Sequence, residues 1–245
     1  MNHAAAELGP PPALDLAATA FFLDFDGTLA PLAARPELAT MAPMTATALR
    51  RLADAAEGAL AIVSGRALHS LDDRLGEWRP PAAGSHGIER RDAGGRVYVD
   101  DGGGRAAGAI DAVAAFGATH DLLVERKPAG AAVHFRARPE MEADAKAAVE
   151  AAAATAGARV VHGNMIAEFA LAHADKGDAV RAFMGEAPFQ GRRPVFAGDD
   201  LTDEDGFRAV RALGGAAIKV GAGPTDAGYR APDINAFLAW LERLA

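Results

Sequence analysis

The sequence contains no cysteine. This absence excludes disulfides, thiolate zinc sites and cysteine nucleophiles, and it favours a reducing compartment. Basic residues are also in the minority, since 25 Lys and Arg stand against 33 Asp and Glu for a net charge of -8. No stretch approaches the ~20 consecutive apolar residues of a membrane span. We therefore expect a cytoplasmic monomer with no nucleic-acid partner and no membrane contact.

Aromatic residues are scarce, at 6% of the chain, although hydrophobic residues make up 50%. We expect a core of closely packed Ala, Leu and Val rather than large rings. The first sixteen residues include Glu7, Asp15 and three consecutive prolines, and no basic leader precedes an apolar run. This composition predicts a disordered N-terminal segment, residues 1–16, and not a signal peptide.

Several short apolar runs end in glycine or acidic residues and alternate with helical stretches. Examples are TAFFLDFDG at 19–27, ALAIVSG at 59–65 and RPVFAGDD at 193–200. Buried parallel strands have this character, and their carboxyl ends lead into active-site loops. The pattern predicts an α/β fold with a Rossmann-like, doubly wound parallel sheet.

The middle of the chain follows a different pattern. Residues 104–171 contain a helix, two strands, a second helix and two more strands, and the glycine-rich sequence DDGGGR precedes them. We interpret this block as an inserted α+β cap domain. Residues 17–103 and 172–245 would then form the catalytic core.

The sequence DFDGT at 24–28 carries the strongest chemical signal. Two carboxylates that lie two residues apart at a strand end share one side, so Asp24 and Asp26 can face a single ligand. One can attack phosphorus while the other transfers protons. The alternatives are a capped turn or a calcium loop, but an EF-hand needs a glycine at loop position six and a glutamate at position twelve, which this segment lacks.

A second acidic group, GDDLTDED at 198–205, also follows an apolar strand. Parallel strands present their carboxyl ends at one edge of a sheet, so the two acidic groups should converge. Converging carboxylates repel one another unless a cation lies among them, and Mg²⁺ favours oxygen ligands. Alternatively, Thr202 or Asp203 caps the following helix, and both interpretations can hold together.

Two further segments suit phosphate binding. Ser64 and its neighbours in SGR at 64–66 can hold phosphoryl oxygens, and Lys176 at a helix start can neutralise developing charge. The alternatives are an ordinary turn for SGR and a solvated surface lysine for Lys176.

These four segments, in this order, resemble the haloacid dehalogenase-like superfamily of aspartate-nucleophile phosphatases. The resemblance implies Asp24 as nucleophile, Asp26 as acid and base, and catalytic roles for Ser64 and Lys176. It also implies Mg²⁺ held by Asp24, Asp26 through its carbonyl, Asp199 and Asp200. The inserted block matches the position of that superfamily's larger cap.

Within the superfamily, several segments are similar to trehalose-6-phosphate phosphatases. They are GSHGIE at 84–89, ERK at 125–127, the strand with His134 and Arg136, and GDDLTDEDGF at 198–207. The resemblance implies trehalose 6-phosphate as the small-molecule substrate. The substrate-binding residues that we expect are Thr28, Gly65, Arg66, His86, Glu89, Glu125, Lys127, Arg136, Glu168 and Asp203.

Alternation along the cap strands separately predicts one polar sheet face. Glu125 and Lys127 share one side of their strand, and Glu168 opposes Ala167 and Phe169. This face can meet sugar hydroxyls, or it can simply be solvated. The sequence departs from the family at Asn164, where a lysine is usual, and after Glu168, where a basic residue and a proline are usual. These departures leave a phosphatase for sucrose phosphate or mannosylglycerate phosphate as an alternative function. A catalytically silent sugar-phosphate sensor is a third possibility, but it predicts the loss of a core catalytic residue, and none is lost.

Overall fold

The computed structural model describes residues 8–33, 38–100, 104–163, 165–171 and 175–244. The chain forms two compact units, one comprising residues 1–97 and 174–245 and the other residues 98–173. The domain boundaries predicted at 103 and 172, and the departure at Asn164, fall outside the described residues. Across the described ranges, no helix has the length and hydropathy that a bilayer crossing requires.

A mixed sheet forms the centre of the larger unit. Its strands are β1 (Thr19–Leu23), β2 (Leu60–Val63), β3 (Ala82–Gly84), β4 (Glu89–Arg91), β5 (Val97–Val99), β10 (Arg193–Gly198), β11 (Ala216–Val220) and β12 (Tyr229–Ala231), and the strands between β5 and β10 in the chain belong to the smaller unit. The strand order in the sheet is β12-β11-β10-β1-β2-β3-β4-β5. The strands from β12 to β3 are parallel, and β3 and β4 are antiparallel.

The apolar runs form the central strands because helices cover both faces of the sheet. Every residue of β1, β2 and β11 is buried, as expected for parallel strands between two helical layers. The helices are α1 (Pro43–Ala55), α2 (Leu68–Leu75), α5 (Lys176–Met184), α6 (Asp203–Ala212) and α7 (Ile234–Leu244), with α3 and α4 in the smaller unit. The fold predicted from the sequence is therefore confirmed. Strands β4, β5 and β12 were not predicted, since each has only three residues, too few to show the alternation of a strand.

Among the described residues, the core of the larger unit consists mainly of Ala, Leu and Val, as expected, but phenylalanine rings supply its largest buried side chains, and the expectation was wrong in leaving out these rings. The ten largest side chains with almost no exposure are all phenylalanines. Phe22, Phe183 and Phe189 form one cluster, with ring centroids 5.0 to 6.0 Å apart. The aromatic fraction is low, but eleven of the aromatic residues are phenylalanine, which has no polar atom to keep at the surface. This cluster packs β1 against α5.

The prediction of disorder over residues 1–16 was wrong for residues 8–16. Arg230 N donates to Gly9 O at 2.9 Å, and Trp240 Nε1 donates to Pro12 O at 3.3 Å. Leu14 and Leu16 pack against the hydrophobic core. The proline-rich sequence suggested a mobile end, but it also presents apolar side chains and free carbonyls that the core can bind.

The smaller unit is a four-stranded antiparallel sheet covered by two helices on one face. Its sheet order is β6-β7-β9-β8, and α3 and α4 pack against the strands and each other. The elements are α3 (Ala107–His120), β6 (Leu123–Lys127), β7 (Gly130–His134), α4 (Glu142–Ala156), β8 (Arg159–Gly163) and β9 (Ile166–Ala170). Ala167 and Phe169 are buried, as the alternation predicts for the helix-facing side.

We expect Phe183→Ala to destabilise the larger unit by about 3–5 kcal/mol, because it leaves a cavity beside Phe22 and Phe189. Urea unfolding followed by circular dichroism would measure this loss. Leu213→Ala is the matched control, since Leu213 is exposed and its truncation should leave the unfolding midpoint nearly unchanged. Equal shifts for the two variants would contradict the assignment of the phenylalanine cluster to the core.

Candidate active site

Three of the predicted catalytic and metal-binding residues lie at one edge of the larger unit's sheet, where three neighbouring parallel strands end. Leu23 of β1 pairs with Ala197 of β10 and with Ile62 of β2. Asp24, Asp199 and Ser64 follow these strand ends within one or two residues. The parallel register therefore brings together segments that are between 40 and 175 residues apart in the sequence.

A buried lysine joins two of the carboxylates. Lys176 Nζ lies 2.6 Å from Asp24 Oδ1 and 2.6 Å from Asp203 Oδ1. All three side chains are nearly or completely inaccessible to solvent. The interpretation of Lys176 as a solvated surface lysine is therefore excluded. Burial alone would lower the pKa of Lys176, but the neighbouring Asp24 and Asp203 carboxylates raise it above its ordinary value.

The start of α5 is built to place Lys176 at this point. Asp175 caps the helix by accepting from Asp178 N at 2.8 Å, and Asp178 accepts in return from Asp175 N. Gly177 lets α5 approach α6 closely, since a Cβ atom there would lie 2.6 Å from Asp205 O. The cap and this close approach fix the lysine between β1 and α6.

Asp199 is held by three contacts with its surroundings. Thr28 Oγ1 donates to Asp199 Oδ1 at 3.2 Å, and Lys219 Nζ donates to the Asp199 carbonyl. Gly27 has φ +81°, and a Cβ atom there would lie 2.2 Å from Asp199 Oδ2, so only glycine fits this turn. The DFDGT turn and the second acidic loop are therefore shaped to each other.

Asp24, Asp199 and Asp203 form a group whose geometry suits a cation. Each offers one carboxylate oxygen, and these oxygens lie within 4.8 Å of one another. Burial, followed by the neighbouring carboxylates, raises the pKa of Asp24 well above its ordinary value despite Lys176. The same causes raise the pKa of Asp199 to about 6. Three carboxylates beside one ammonium leave negative charge in excess, and a divalent ion with oxygen ligands would balance it.

The membership of this group differs from the expected metal ligands. Asp200 is exposed, and its Oδ1 accepts from Leu201 N. Asp203 takes its place in the group, although we expected it to bind substrate. Asp203 Oδ2 accepts a hydrogen bond from Asp200 N at 2.9 Å and thereby closes the loop before α6. The N-cap residue of α6 is Thr202, and its side chain makes no capping hydrogen bond. The acidic loop thus shapes the helix start and builds the carboxylate group.

The Asp26 carboxylate contacts Arg66. Arg66 Nε lies 2.6 Å from Asp26 Oδ2, and Arg66 Nη2 lies 2.6 Å from Asp26 Oδ1. In the structure, the guanidinium of Arg66 is paired with the predicted acid and base. The substrate-binding role expected for Arg66 stays a prediction.

The SGR loop is joined to the segment 84–89. Ser85 N donates to Arg66 O at 2.7 Å, and His86 N donates to Ser64 O at 3.1 Å. Glu89 Oε2 accepts from Ser85 Oγ at 2.9 Å and from Leu68 N at 3.0 Å. The His86 ring lies over Gly65, where a Cβ atom would be 2.7 Å from it. Glu89 and His86 therefore brace the loop that carries Ser64 and Gly65.

The smaller unit carries its candidates on the sheet face away from α3 and α4. Lys127 Nζ pairs with Glu168 Oε1 at 2.7 Å, and His134 Nε2 lies 3.5 Å from Glu125 Oε2. The Lys127 side chain is 7% exposed, so this face is a structured polar cluster and not merely a solvated surface. Arg136 does not share it as predicted, because β7 ends at His134 and Arg136 lies exposed in the turn that follows.

Sequence reasoning missed Lys219, which supports the backbone of Asp199. A charged residue in AAIKV, an otherwise apolar strand, is a signal that could have identified it. Lysine is rarely buried without a partner, and Lys219 is 5% exposed.

Comparison with known proteins connects this site to one family. The family model described as trehalose-phosphatase matches residues 22–235. The chain is 41% identical over 216 residues to a probable trehalose-phosphate phosphatase of Sinorhizobium fredii, covering 84% of this chain and 79% of that protein. It is 36% identical over 230 residues to trehalose-6-phosphate phosphatase of Escherichia coli, covering 92% of this chain and 86% of that protein.

Solved structures share the fold. A trehalose-6-phosphate phosphatase related protein superposes with a TM-score of 0.76 at 26% identity, covering 91% of this chain and 96% of that one. The C-terminal domain of C. albicans trehalose-6-phosphate phosphatase has the same TM-score at 20% identity, covering 95% and 98%. The profile match and the identities show that this chain belongs to the trehalose-phosphatase family of the haloacid dehalogenase-like superfamily.

Proposed function

We propose that this chain hydrolyses trehalose 6-phosphate to trehalose and phosphate, using Asp24 as a covalent nucleophile and Mg²⁺ as cofactor. The observation that carries the proposal is the buried Lys176 ammonium 2.6 Å from both Asp24 and Asp203. Relatives named as trehalose-phosphate phosphatases support the choice of substrate.

In the first step, an Asp24 carboxylate oxygen forms a bond to phosphorus as the bond between phosphorus and the sugar oxygen breaks. Asp26 supplies the proton that the departing sugar oxygen needs. Lys176 orients Asp24 and opposes the rise in its pKa that burial causes, which favours the carboxylate that attacks phosphorus. Ser64 and the backbone N–H groups beside it would hold the phosphoryl oxygens.

In the second step, a water oxygen bonds to phosphorus and the bond from phosphorus to Asp24 breaks. Asp26, now a carboxylate, accepts the proton of that water, and phosphate leaves. The chain returns to its starting state with Asp24 and Asp26 regenerated. One residue thus serves as acid and then as base.

The carboxylates of Asp24, Asp199 and Asp203 fit a divalent cation, and the Asp26 carbonyl is a further candidate ligand. When bound, Mg²⁺ would neutralise charge on the phosphoryl oxygens as the nucleophile approaches. The chain's own contribution is to hold these oxygens together, through the contact of Thr28 with Asp199 and the contact of Lys219 with its carbonyl.

Sugar recognition is assigned to the polar face of the smaller unit. This face offers both kinds of hydrogen-bonding group that the hydroxyl groups of a disaccharide need. The carboxylates of Glu125 and Glu168 accept hydrogen bonds, and the ammonium of Lys127 donates them. The pairing of Lys127 with Glu168 holds both side chains in fixed rotamers. Of the residues that depart from the family after Glu168, Phe169 is buried on the opposite face, whereas Ala170 shares the polar face and adds no polar group.

We expect Asp24→Asn to lower phosphate release from trehalose 6-phosphate by roughly 10⁴-fold or more, because an amide cannot form the aspartyl-phosphate. A phosphate-release assay would measure the loss. Asp205→Asn is the matched control, since it changes an exposed carboxylate of the acidic loop that pairs with Arg208. Near-normal turnover by Asp24→Asn would rule out the covalent mechanism.

Chelation of divalent metal should abolish phosphate release, and Mg²⁺ should restore it. Mg²⁺ should also raise the thermal unfolding midpoint of the wild-type chain, because an ion that binds only the folded state stabilises it. Asp199→Asn should lose this shift, since it removes one oxygen of the carboxylate group. Full activity after exhaustive chelation, or an equal Mg²⁺ shift in Asp199→Asn, would count against the assigned metal site.

Glu168→Gln should lower kcat/KM for trehalose 6-phosphate far more than for p-nitrophenyl phosphate, which has no sugar to recognise. Steady-state kinetics on both substrates would measure the difference. Glu142→Gln is the control in the same unit, because Glu142 is an exposed helix residue paired with Lys146. Equal losses on the two substrates would show that Glu168 does not recognise the sugar.

A substrate panel tests the choice of sugar phosphate. If the wild-type chain hydrolysed sucrose phosphate or mannosylglycerate phosphate faster than trehalose 6-phosphate, the proposed substrate would be wrong.

A further inference from the structure

The proposed mechanism uses Asp26 as acid and base but gives no role to Arg66, which is paired with it. Arg66 Nε and Nη2 contact the two oxygens of Asp26 separately, each at 2.6 Å. This is the planar, two-pronged geometry in which a guanidinium fixes both the position and the plane of a carboxylate. The Arg66 side chain is 7% exposed and that of Asp26 is 34% exposed, so the carboxylate stays accessible while its partner is buried.

Arg66 is itself held from several directions. Its guanidinium carbon lies 5.5 Å from the centre of the Phe25 ring. Its backbone N donates to Ser64 Oγ at 3.2 Å, and its carbonyl accepts from Ser85 N at 2.7 Å. Ser85 has φ +49°, a left-handed conformation that is uncommon for residues other than glycine, and its side chain donates to Glu89. The loop therefore fixes Arg66, and Arg66 fixes Asp26.

We propose that Arg66 is a positioning residue that orients Asp26 as a carboxylate for the proton-accepting step. This inference rests on the proposed function. In that step, a water oxygen bonds to phosphorus, the bond from phosphorus to Asp24 breaks, and the proton of the water passes to an oxygen of Asp26. A guanidinium fork holds the ionised carboxylate and leaves its remaining lone pairs free to accept that proton.

The competing role for Arg66 is direct binding of the phosphoryl group. A buried arginine near a phosphate site would ordinarily suggest it. However, Arg66 Nε and Nη2 are already directed at Asp26. The third nitrogen, Nη1, lies 3.5 Å from Ser70 Oγ on α2. The two roles predict different kinetic defects, so experiment separates them.

The test compares Arg66→Lys with Arg91→Lys, using p-nitrophenyl phosphate, whose phenolate leaves without a proton. Arg91 forms an equally two-pronged and buried pair with Asp72, at 2.9 Å for both contacts, and touches neither Asp24 nor Asp26. Lysine keeps the charge but cannot form the fork. We expect Arg66→Lys to lower kcat roughly tenfold to a hundredfold, part of the ~10²–10⁴ that a positioned acid or base contributes.

Acid-quench mass spectrometry gives the decisive readout. Slower hydrolysis of the aspartyl-phosphate should make the phosphorylated chain accumulate in the steady state in Arg66→Lys, but not in Arg91→Lys or the wild type. The inhibition constant for inorganic phosphate should stay unchanged. A lower kcat without accumulation, or a weaker inhibition by phosphate, would overturn the positioning role, and the latter would make Arg66 a phosphate ligand.

A double-mutant cycle with Asp26→Asn checks that Arg66 acts through Asp26. Arg66→Lys should cost little further activity once Asp26 is an amide, because the two residues would act as one unit. Full additivity would overturn the inference.

If circular dichroism shows that Arg66→Lys does not fold, Arg66→Gln takes its place in the same measurements. Absence of turnover by the wild type itself would refute the proposed function and this inference together, whereas normal wild-type turnover with additive losses refutes the inference alone.

Discussion

The buried Lys176 ammonium is the interaction on which the rest of the site depends. It contacts Asp24 and Asp203 at 2.6 Å, where burial raises the pKa of Asp24 and the ammonium opposes that rise. A buried charge pair of this kind is costly to assemble and gives little net stability, so it is best understood as a functional arrangement. It holds the proposed nucleophile in position and favours its charged form in a buried site.

The fold makes this arrangement possible by aligning parallel strands. Strands β10, β1 and β2 end side by side, and each contributes a chemical residue within two positions of its end. Helices α5 and α6 then approach closely at Gly177, which brings Lys176 to Asp203. The strand ends and the two helices thus position the groups around Asp24, and the phenylalanine cluster packs β1, which precedes Asp24, against α5, which carries Lys176.

A second layer of contacts positions the groups to which we assign the chemistry. Lys219 supports Asp199, Glu89 braces the loop of Ser64, and Arg66 holds Asp26. These residues were either absent from the sequence-based interpretation or assigned to the substrate. Their side chains contact other protein groups, and the spacing of motifs along the sequence cannot predict such contacts.

The sequence by itself determined the fold class, the order of the longer elements and the identity of the central residues. Apolar periodicity and short motifs are local properties, so Asp24, Asp199 and Lys176 could be selected from their neighbours along the chain. Only the tertiary structure decided which side chains meet. Asp203 joined the carboxylate group in place of Asp200, Arg66 paired with Asp26, and Arg136 left the polar strand face because β7 ended two residues earlier. Partners more than twenty residues apart are set by strand register, helix approach and side-chain direction, which arise only when the chain packs.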